Sequence, residues 1–407
     1  MRIIFVNLHA NTMLVRTIAA YIFKKPAVIK HRYLLDYLLN NDDYEVCNYI
    51  NECGFTITKS SRELFKLVNL FRYLENNRTL KANGIDKNLI TVLKNVQQIQ
   101  DGDIVILYNF RKDNFLDMEN VNAFKAVSML HFSGNVGESD IINSINPNCL
   151  FNESNLKKNS KIYQRFYDVN VPWLTHGFVY AERFTNKRSF KGRKNLAFAT
   201  GTITYRNSHE FIDTYGDSCL QPLRKQIKDN PEYFKDTIYC TSSDYNEENL
   251  EKKVCDTDNI LVKVYKKLYN KVHIGKQKKY FSFDMVEAFN EYKMCIVAEE
   301  CIGVPGIGAI EGMACGCAYI GMDIPAYRDW GMIPGEHFII YDGTKEHLKE
   351  VIEYYQKDEN QEELERIAKT GYEFVRVNFN GDIIAKRLMD NLVAEQKKWI
   401  EKNSTIS

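Results

Sequence analysis

The densest group of residues able to bind a charged ligand lies between Ala298 and Asp323, in AEECIGVPGIGAIEGMACGCAYIGMD. The pattern predicts an acidic strand end, a glycine-rich turn, a helix and a second strand. Gly303, Gly306 and Gly308 permit close backbone approach and positive φ, and a helix start attracts anions such as a diphosphate. Glu311, in the first helical turn, could accept hydrogen bonds from two vicinal hydroxyls. Together these features predict a nucleotide site, unless the glycines only form tight turns and Glu311 only complements the helix dipole.

The same segment resembles the donor site of GT-B-fold glycosyltransferases. The segments 300–305 and 311–316, Glu-Cys-Ile-Gly-Val-Pro and Glu-Gly-Met-Ala-Cys-Gly, resemble the two parts of that family's signature. The resemblance implies a sugar contact for Glu300 and a ribose contact for Glu311. It also implies that backbone amides hold the diphosphate, namely those of Gly303, Gly306, Ile307 and Gly308.

The spacing of the two glutamates departs from the family pattern. Ten residues separate Glu300 from Glu311 here, whereas the family usually has seven. The extra residues lie in the PGIGA stretch, so the loop is longer or the first glutamate is displaced. Glu299 therefore competes with Glu300 for the sugar contact.

Basic residues could complete such a site by stabilising the departing nucleoside diphosphate. Gly201, assigned to donor binding, ends a predicted strand where the family often has a Gly-Arg pair. Thr202 stands in place of that arginine, but Arg206 lies where a cationic partner of the diphosphate is expected. The run Lys276 to Lys279 offers a second cation, with Lys279 favoured, and Arg224 is a third candidate. Such cations would offset charge that develops in the transition state. Each could equally be a solvated surface charge.

The N-terminal half offers three weaker candidates. His131 ends a predicted strand and resembles the histidine that many family members place against the donor sugar. His9 and Asn11 lie on the first loop, at the sheet edge where open α/β sheets bind ligands, and are assigned to the acceptor side. The pair His176-Gly177 resembles a loop close to the hinge between domains.

The balance of charges and the cysteine pattern limit which partners and which cell compartment we expect for the protein. The 407 residues carry 54 Lys and Arg against 53 Asp and Glu, so a dedicated nucleic-acid binder is disfavoured. The N-terminus contains no apolar run long enough for a signal peptide, and the ten cysteines include no Cys-x-x-Cys pair, which favours a cytoplasmic protein with reduced thiols. Trp399, in the segment KKWIEK, is compatible with a peripheral contact between the protein and the inner face of a membrane.

Metal and dinucleotide chemistry are both disfavoured. The two Asp-x-Asp triplets, at Asp101 and Asp256, precede apolar runs, whereas a metal-binding triplet should follow one. The first loop contains no glycine, which argues against a Rossmann dehydrogenase. We therefore expect no required cofactor or metal, with a nucleoside-diphosphate sugar as the donor substrate.

The elements that would position these residues alternate between short apolar strands and amphipathic helices. This alternation predicts an α/β fold. The resemblance further implies two Rossmann-like domains that face each other across a cleft, which is the GT-B arrangement. We expect an acceptor-side domain over residues 1–180, a donor domain over 181–380 and a C-terminal helix over 381–407. That helix either crosses back to the first domain, as the resemblance implies, or is an ordinary surface helix of the second. Predicted helices include 114–124 and 384–402, and predicted strands include 126–131 and 294–298.

The sequence thus predicts a metal-independent, retaining glycosyltransferase that transfers a sugar from a nucleotide sugar to a hydroxyl of a bacterial polysaccharide or glycolipid. Two alternatives stay open. One is an epimerase of nucleotide sugars with the same fold, and the other is a non-catalytic nucleotide-sugar-binding subunit of an active partner. The sequence leaves the oligomeric state undetermined.

Overall fold

The computed structural model describes residues 1–8, 13–14, 32–50, 62–108, 118–130, 132, 134–244, 259, 261–262 and 283–404. Its strands form two larger parallel sheets, one in each half of the chain, and a separate two-stranded pair. This is the predicted α/β architecture. Among the described residues, no helix is both long and apolar enough to cross a bilayer.

The N-terminal half contains a seven-stranded parallel sheet in the order β3-β2-β1-β4-β5-β6-β7. Its strands are β1 (Arg2–Val6), β2 (Glu45–Tyr49), β3 (Thr91–Leu93), β4 (Ile104–Leu107), β5 (Phe124–Ser128), β6 (Cys149–Asn152) and β7 (Trp173–Thr175). Its helices are α1 (Tyr33–Leu39), α2 (Arg62–Ala82), α3 (Ser139–Ile145), α4 (Leu156–Asn159) and α5 (Lys161–Phe166).

The C-terminal half contains a five-stranded parallel sheet in the order β10-β8-β12-β13-β14, and β9 pairs with β11 beside it. Its strands are β8 (Lys194–Ala199), β9 (Thr202–Ile203), β10 (Ile238–Cys240), β11 (Ser243–Asp244), β12 (Tyr292–Ile296), β13 (Ala318–Met322) and β14 (Ile339–Tyr341). Its helices are α6 (His209–Tyr215), α7 (Pro222–Asp229), α8 (Pro231–Phe234), α9 (Met285–Glu291), α10 (Gly308–Ala314), α11 (Pro325–Asp329), α12 (Lys345–Gln356), α13 (Gln361–Asn378) and α14 (Gly381–Ser404).

The central strands are apolar on both faces. In β1, Ile3, Ile4 and Phe5 are all fully buried, because helices cover both sides of the sheet. In the C-terminal sheet, the order reverses beside the first strand, since β8 lies between β10 and β12. Open α/β sheets bind ligands where the order reverses, at the carboxyl ends of the strands. Topology alone therefore selects the loops that follow β8 and β12.

The last helix returns to the N-terminal half. Helix α14 packs on α1, β5 and β7. The amide of Gln396 donates a hydrogen bond to the Gly102 carbonyl at 2.9 Å, and the ring of Trp399 meets that of Phe124 edge-on. The last helix therefore contacts elements of the first sheet as well as α13.

Some element predictions were wrong. In the described part of 114–124 there is no helix, because Met118 is buried in a turn region and β5 already begins at Phe124. The strand expected over 126–131 ends at Ser128, and the one expected over 294–298 occupies Tyr292–Ile296. Helices α2 and α13 were not predicted as separate elements.

Candidate functional site

The loop after β8 makes room for a buried arginine. Gly201 has φ +130°, and a Cβ atom there would lie 2.6 Å from Cζ of Arg224. Arg224, on α7, is 7% exposed and donates hydrogen bonds to the carbonyls of Thr202 and Ala298. Its guanidinium therefore ties together the loops that follow β8 and β12, and it places a positive charge at their junction.

The loop after β12 brings the start of α10 close to the strand end. Cβ atoms at Gly306 and Gly308 would lie 2.5 and 2.8 Å from the methyl groups of Val297, so larger residues would push α10 away. Within the part of the chain that the structure describes, no acceptor is hydrogen-bonded to the backbone N–H groups of Gly306, Ile307 and Gly308. Glu311 is half-buried in the first turn of α10.

Glu300 lies at this junction and is held by a side-chain amide. Nε2 of Gln221 donates to its Oε1 at 2.9 Å. Burial raises the pKa of Glu300, and the Gln221 amide and the charges of Arg224 and Arg206 oppose that rise. A carboxylate of this kind can accept hydrogen bonds from hydroxyl groups of a sugar.

Glu299 points away from the junction, into the core. It is 3% exposed, and its Oε1 accepts hydrogen bonds from Tyr319 at 3.0 Å, from Tyr327 at 2.7 Å and from the Met322 N–H at 2.9 Å. Tyr341 lies 3.4 Å from its other oxygen. Glu299 is therefore enclosed by its own domain, which leaves Glu300 as the glutamate of the pair beside the two arginines.

The residues between Glu300 and Val304 form a tight turn that docks on the N-terminal half. Ile302 is fully buried in a core cluster made mainly by that half. The Gly303 carbonyl accepts a hydrogen bond from Ser154 Oγ at 2.9 Å, and a Cβ at Gly303 would lie 2.1 Å from the Asn159 carbonyl oxygen. The Gly303 N–H donates to the Glu300 carbonyl. In this arrangement Gly303 serves the contact between the halves, and its role toward a diphosphate stays a prediction.

Arg206 lies between carboxylates of the two halves. Burial raises the pKa values of Glu300 and Glu138, and the positive charge of Arg206 opposes that rise at both carboxylates. Glu138 lies in the loop region after β5, where the Asn135 amide donates to it at 3.3 Å. Sequence reasoning missed Glu138 and Gln221 and ranked Arg224 last. The Gly-Asn turn before Glu138, and the proline that starts α7 directly after Gln221, were the available signals.

The loop that follows β7, which resembles a loop close to a hinge, is built around Gly177. Its φ is +77°, and a Cβ there would lie 2.7 Å from the Phe379 ring and 3.7 Å from that of Trp330. Nε1 of Trp330 donates to the Glu153 carbonyl of the N-terminal half at 2.7 Å. His176 is buried beside it, and its Nδ1 lies 2.7 Å from the Gly177 carbonyl, to which it must donate.

Several predicted site residues lie outside the described residues. These are His9, Asn11, His131 and the run from Lys276 to Lys279. Among the described residues, no cluster of three His, Cys, Asp or Glu side chains could hold a metal ion. Asp103, from one Asp-x-Asp triplet, lies 3.7 Å from the Arg2 guanidinium at the amino-terminal end of β4.

No protein-family model matches the sequence, and no curated protein matches it. Solved structures do share its fold. HepE of Anabaena in complex with UDP is 12% identical, with a TM-score of 0.52 over 97% of this chain and 100% of that one. The N-terminal domain of Candida albicans trehalose-6-phosphate phosphatase is 10% identical, with a TM-score of 0.51 over 97% and 98%.

Pneumococcal O-GlcNAc transferase GtfA, in complex with UDP and GlcNAc, is 15% identical, with a TM-score of 0.39. That match covers 74% of this chain, which spans only 58% of GtfA. The two parallel sheets, together with the likeness to HepE and to the Candida domain, show a fold of two Rossmann-like halves, the GT-B arrangement.

Proposed function

We propose that the protein is a glycosyltransferase that moves a sugar from a nucleoside-diphosphate donor to a hydroxyl acceptor. The observation that carries this proposal is the junction of the loops after β8 and β12. There the Arg224 guanidinium lies between Gly201 and Gly306, with Glu300 beside it. A cation, close-approach glycines and a carboxylate are the groups that a diphosphate and its sugar require.

The proposed binding mode assigns one task to each group. The diphosphate lies over Gly306, Ile307 and Gly308, whose N–H groups face it together with Arg224. Glu311 holds the ribose. Glu300 contacts the sugar, and Arg206 stabilises charge on the leaving diphosphate, with Lys279 as a second cation.

The wider topology gives this mode its setting. The finding of UDP in HepE, which has the same fold, supports a uridine nucleotide as the first donor to test. The N-terminal half would then supply the acceptor side, with His131, His9 and Asn11 as its candidates. Closure of the halves would exclude water and suppress donor hydrolysis. We further propose retention of anomeric configuration, no metal requirement, and a polysaccharide or glycolipid acceptor.

The primary experiment is a thermal-shift screen with UDP-, GDP-, ADP- and CMP-sugars, followed by turnover with the stabilising donor. Transfer to an acceptor in the presence of EDTA, with the product's anomeric configuration determined by NMR, would support every part of the proposal. Free epimerised nucleotide sugar without transfer would indicate an epimerase. Binding without hydrolysis or transfer of any donor would indicate a non-catalytic subunit.

A matched pair of variants tests the carrying observation. Arg224→Met removes the buried charge, whereas Lys225→Met removes its neighbour's charge, which pairs with Asp229 at the surface. Charge-assisted hydrogen bonds contribute about 1.5–3 kcal/mol, so we expect Arg224→Met to weaken nucleoside-diphosphate binding by roughly 10- to 100-fold. Calorimetry should find the Lys225→Met affinity unchanged. Equal affinities for both variants would contradict the binding mode.

A further inference from the structure

Gln221 connects the two loops that meet at the candidate site. It is 3% exposed, at the position just before α7. Its Oε1 accepts hydrogen bonds from the Thr204 backbone N–H at 2.8 Å and from the Thr204 hydroxyl at 3.1 Å. Its Nε2 donates to Oε1 of Glu300. One amide therefore spans from the loop after β8, which leads to Arg206, to the loop after β12.

The orientation of this amide follows from its partners. A backbone N–H can only donate, so the amide oxygen must face Thr204 and the amide nitrogen must face Glu300. Asparagine is one methylene shorter and could not reach both loops, and leucine could fill the space but would donate nothing. Glutamine thus fits both the length and the hydrogen-bonding pattern of this position.

The groups around Glu300 differ in how they respond to pH. Arg224 and Arg206 face it, and arginine stays protonated at all accessible pH values. The thiol of Cys301 is also near, and burial raises its pKa to about 12, so it is neutral at physiological pH. Glu300, and Glu138 on the other side of Arg206, are therefore the described groups here whose charges change between acidic and neutral pH, and of the two only Glu300 contacts Gln221.

We propose that Gln221 is the positioning residue of the site: its amide fixes the Glu300 carboxylate toward the two arginines and holds the two ligand-binding loops in register. The proposal rests on the proposed function, because it assigns the residue that orients a group given a donor-sugar contact. Gln221 acts through Glu300 and needs no contact with the ligand.

The substitution Gln221→Glu tests this assignment by pH. Two carboxyl groups in contact hold one proton between them at low pH, and both ionise only as the pH rises. With the proton on residue 221, the variant keeps a donor toward Glu300 and an acceptor toward Thr204. We expect its kcat/KM for donor turnover to lie within about threefold of wild type at pH 5.5 and to fall at least tenfold below it at pH 8.5.

Two further variants separate positioning from general damage. Gln226→Glu adds the same charge on the exposed side of α7 and should follow the wild-type pH profile throughout. Gln221→Leu removes the donor permanently, so its loss of kcat/KM should be the same at both pH values. A constant activity ratio between Gln221→Glu and wild type across this range would overturn the proposal.

A second readout does not depend on catalysis. The thermal midpoint of Gln221→Glu, relative to Gln226→Glu, should fall as pH rises, and the exchanged pair Gln221→Glu with Glu300→Gln should remove that slope. A wild-type protein that turns over no donor would refute the proposed function alone. The difference in thermal midpoint between Gln221→Glu and Gln226→Glu then tests the role of Gln221. A difference that depends on pH supports its contact with Glu300, and a difference that does not depend on pH overturns the proposal.

Discussion

His176 makes the stability of the folded protein sensitive to acid. It is buried next to Gly177, and the hydroxyl of Tyr33 and the ring of Phe151 face it. Burial lowers its pKa from 6.5 to about 4. Because the folded state holds this histidine neutral, its contribution to stability is complete above pH 6.5 and is lost as the pH falls toward 4.

The size of this loss follows from the two pKa values. At pH 5 an unfolded histidine with pKa 6.5 is almost entirely protonated, whereas the folded one, with pKa about 4, is mostly neutral. Linkage gives RT ln[(1 + 10^1.5)/(1 + 10^−1)], or about 2 kcal/mol at pH 5. The same expression gives about 3 kcal/mol at pH 4 and almost nothing at pH 7.

The variant His176→Asn measures this pH-dependent contribution of His176 to the free energy of unfolding. The asparagine amide nitrogen can take the place of Nδ1 and donate to the Gly177 carbonyl, but it does not titrate. Urea unfolding at pH 7 and pH 5 should show that wild type loses about 2 kcal/mol more than His176→Asn over this interval. His209→Asn, at an exposed histidine, should lose as much as wild type. Equal losses for wild type and His176→Asn would refute the assignment.

Two shorter predictions concern the site. Gly303→Ala and Gly84→Ala both place a side chain at positive φ, but only at Gly303 would the Cβ lie 2.1 Å from a backbone oxygen. Calorimetry should therefore show that Gly303→Ala is the less stable of the two variants. Its unfolding transition should also broaden or split. Equal thermal midpoints for the two variants would show that the contact between the halves accommodates a Cβ at residue 303 at little cost in stability. Glu311→Ala should weaken nucleoside-diphosphate binding by about 1–3 kcal/mol in titration calorimetry if it holds the ribose. An unchanged Kd would remove that role.

The fold was predictable because apolar runs identify the strands of a parallel sheet. Residues 2–6, 104–107 and 318–322 are short runs bounded by polar or glycine turns, and each is a strand. Helix α2 was missed because its sequence mixes charged residues with scattered apolar ones and has no clear apolar stripe.

The candidate site could be predicted only where a local sequence motif points to it. Glycine and glutamate spacing found the loop after β12, and the structure then separated Glu299 from Glu300, which adjacent positions in the sequence could not do. Arg224 on α7 and Gln221 just before that helix reach this loop from 74 and 79 residues earlier in the chain. Contacts of that kind leave no periodic signal, because they depend on which strands become neighbours.

The return of α14 to the first sheet has a consequence for synthesis. Gln396 bonds to Gly102 across 294 residues, and at about 5–20 residues per second the ribosome needs roughly 15–60 s to produce that interval. Until then α1, β5 and β7 lack the helix that packs on them. The first half to emerge is therefore the last to be completed, and a nascent chain exposes apolar surface that a chaperone would recognise.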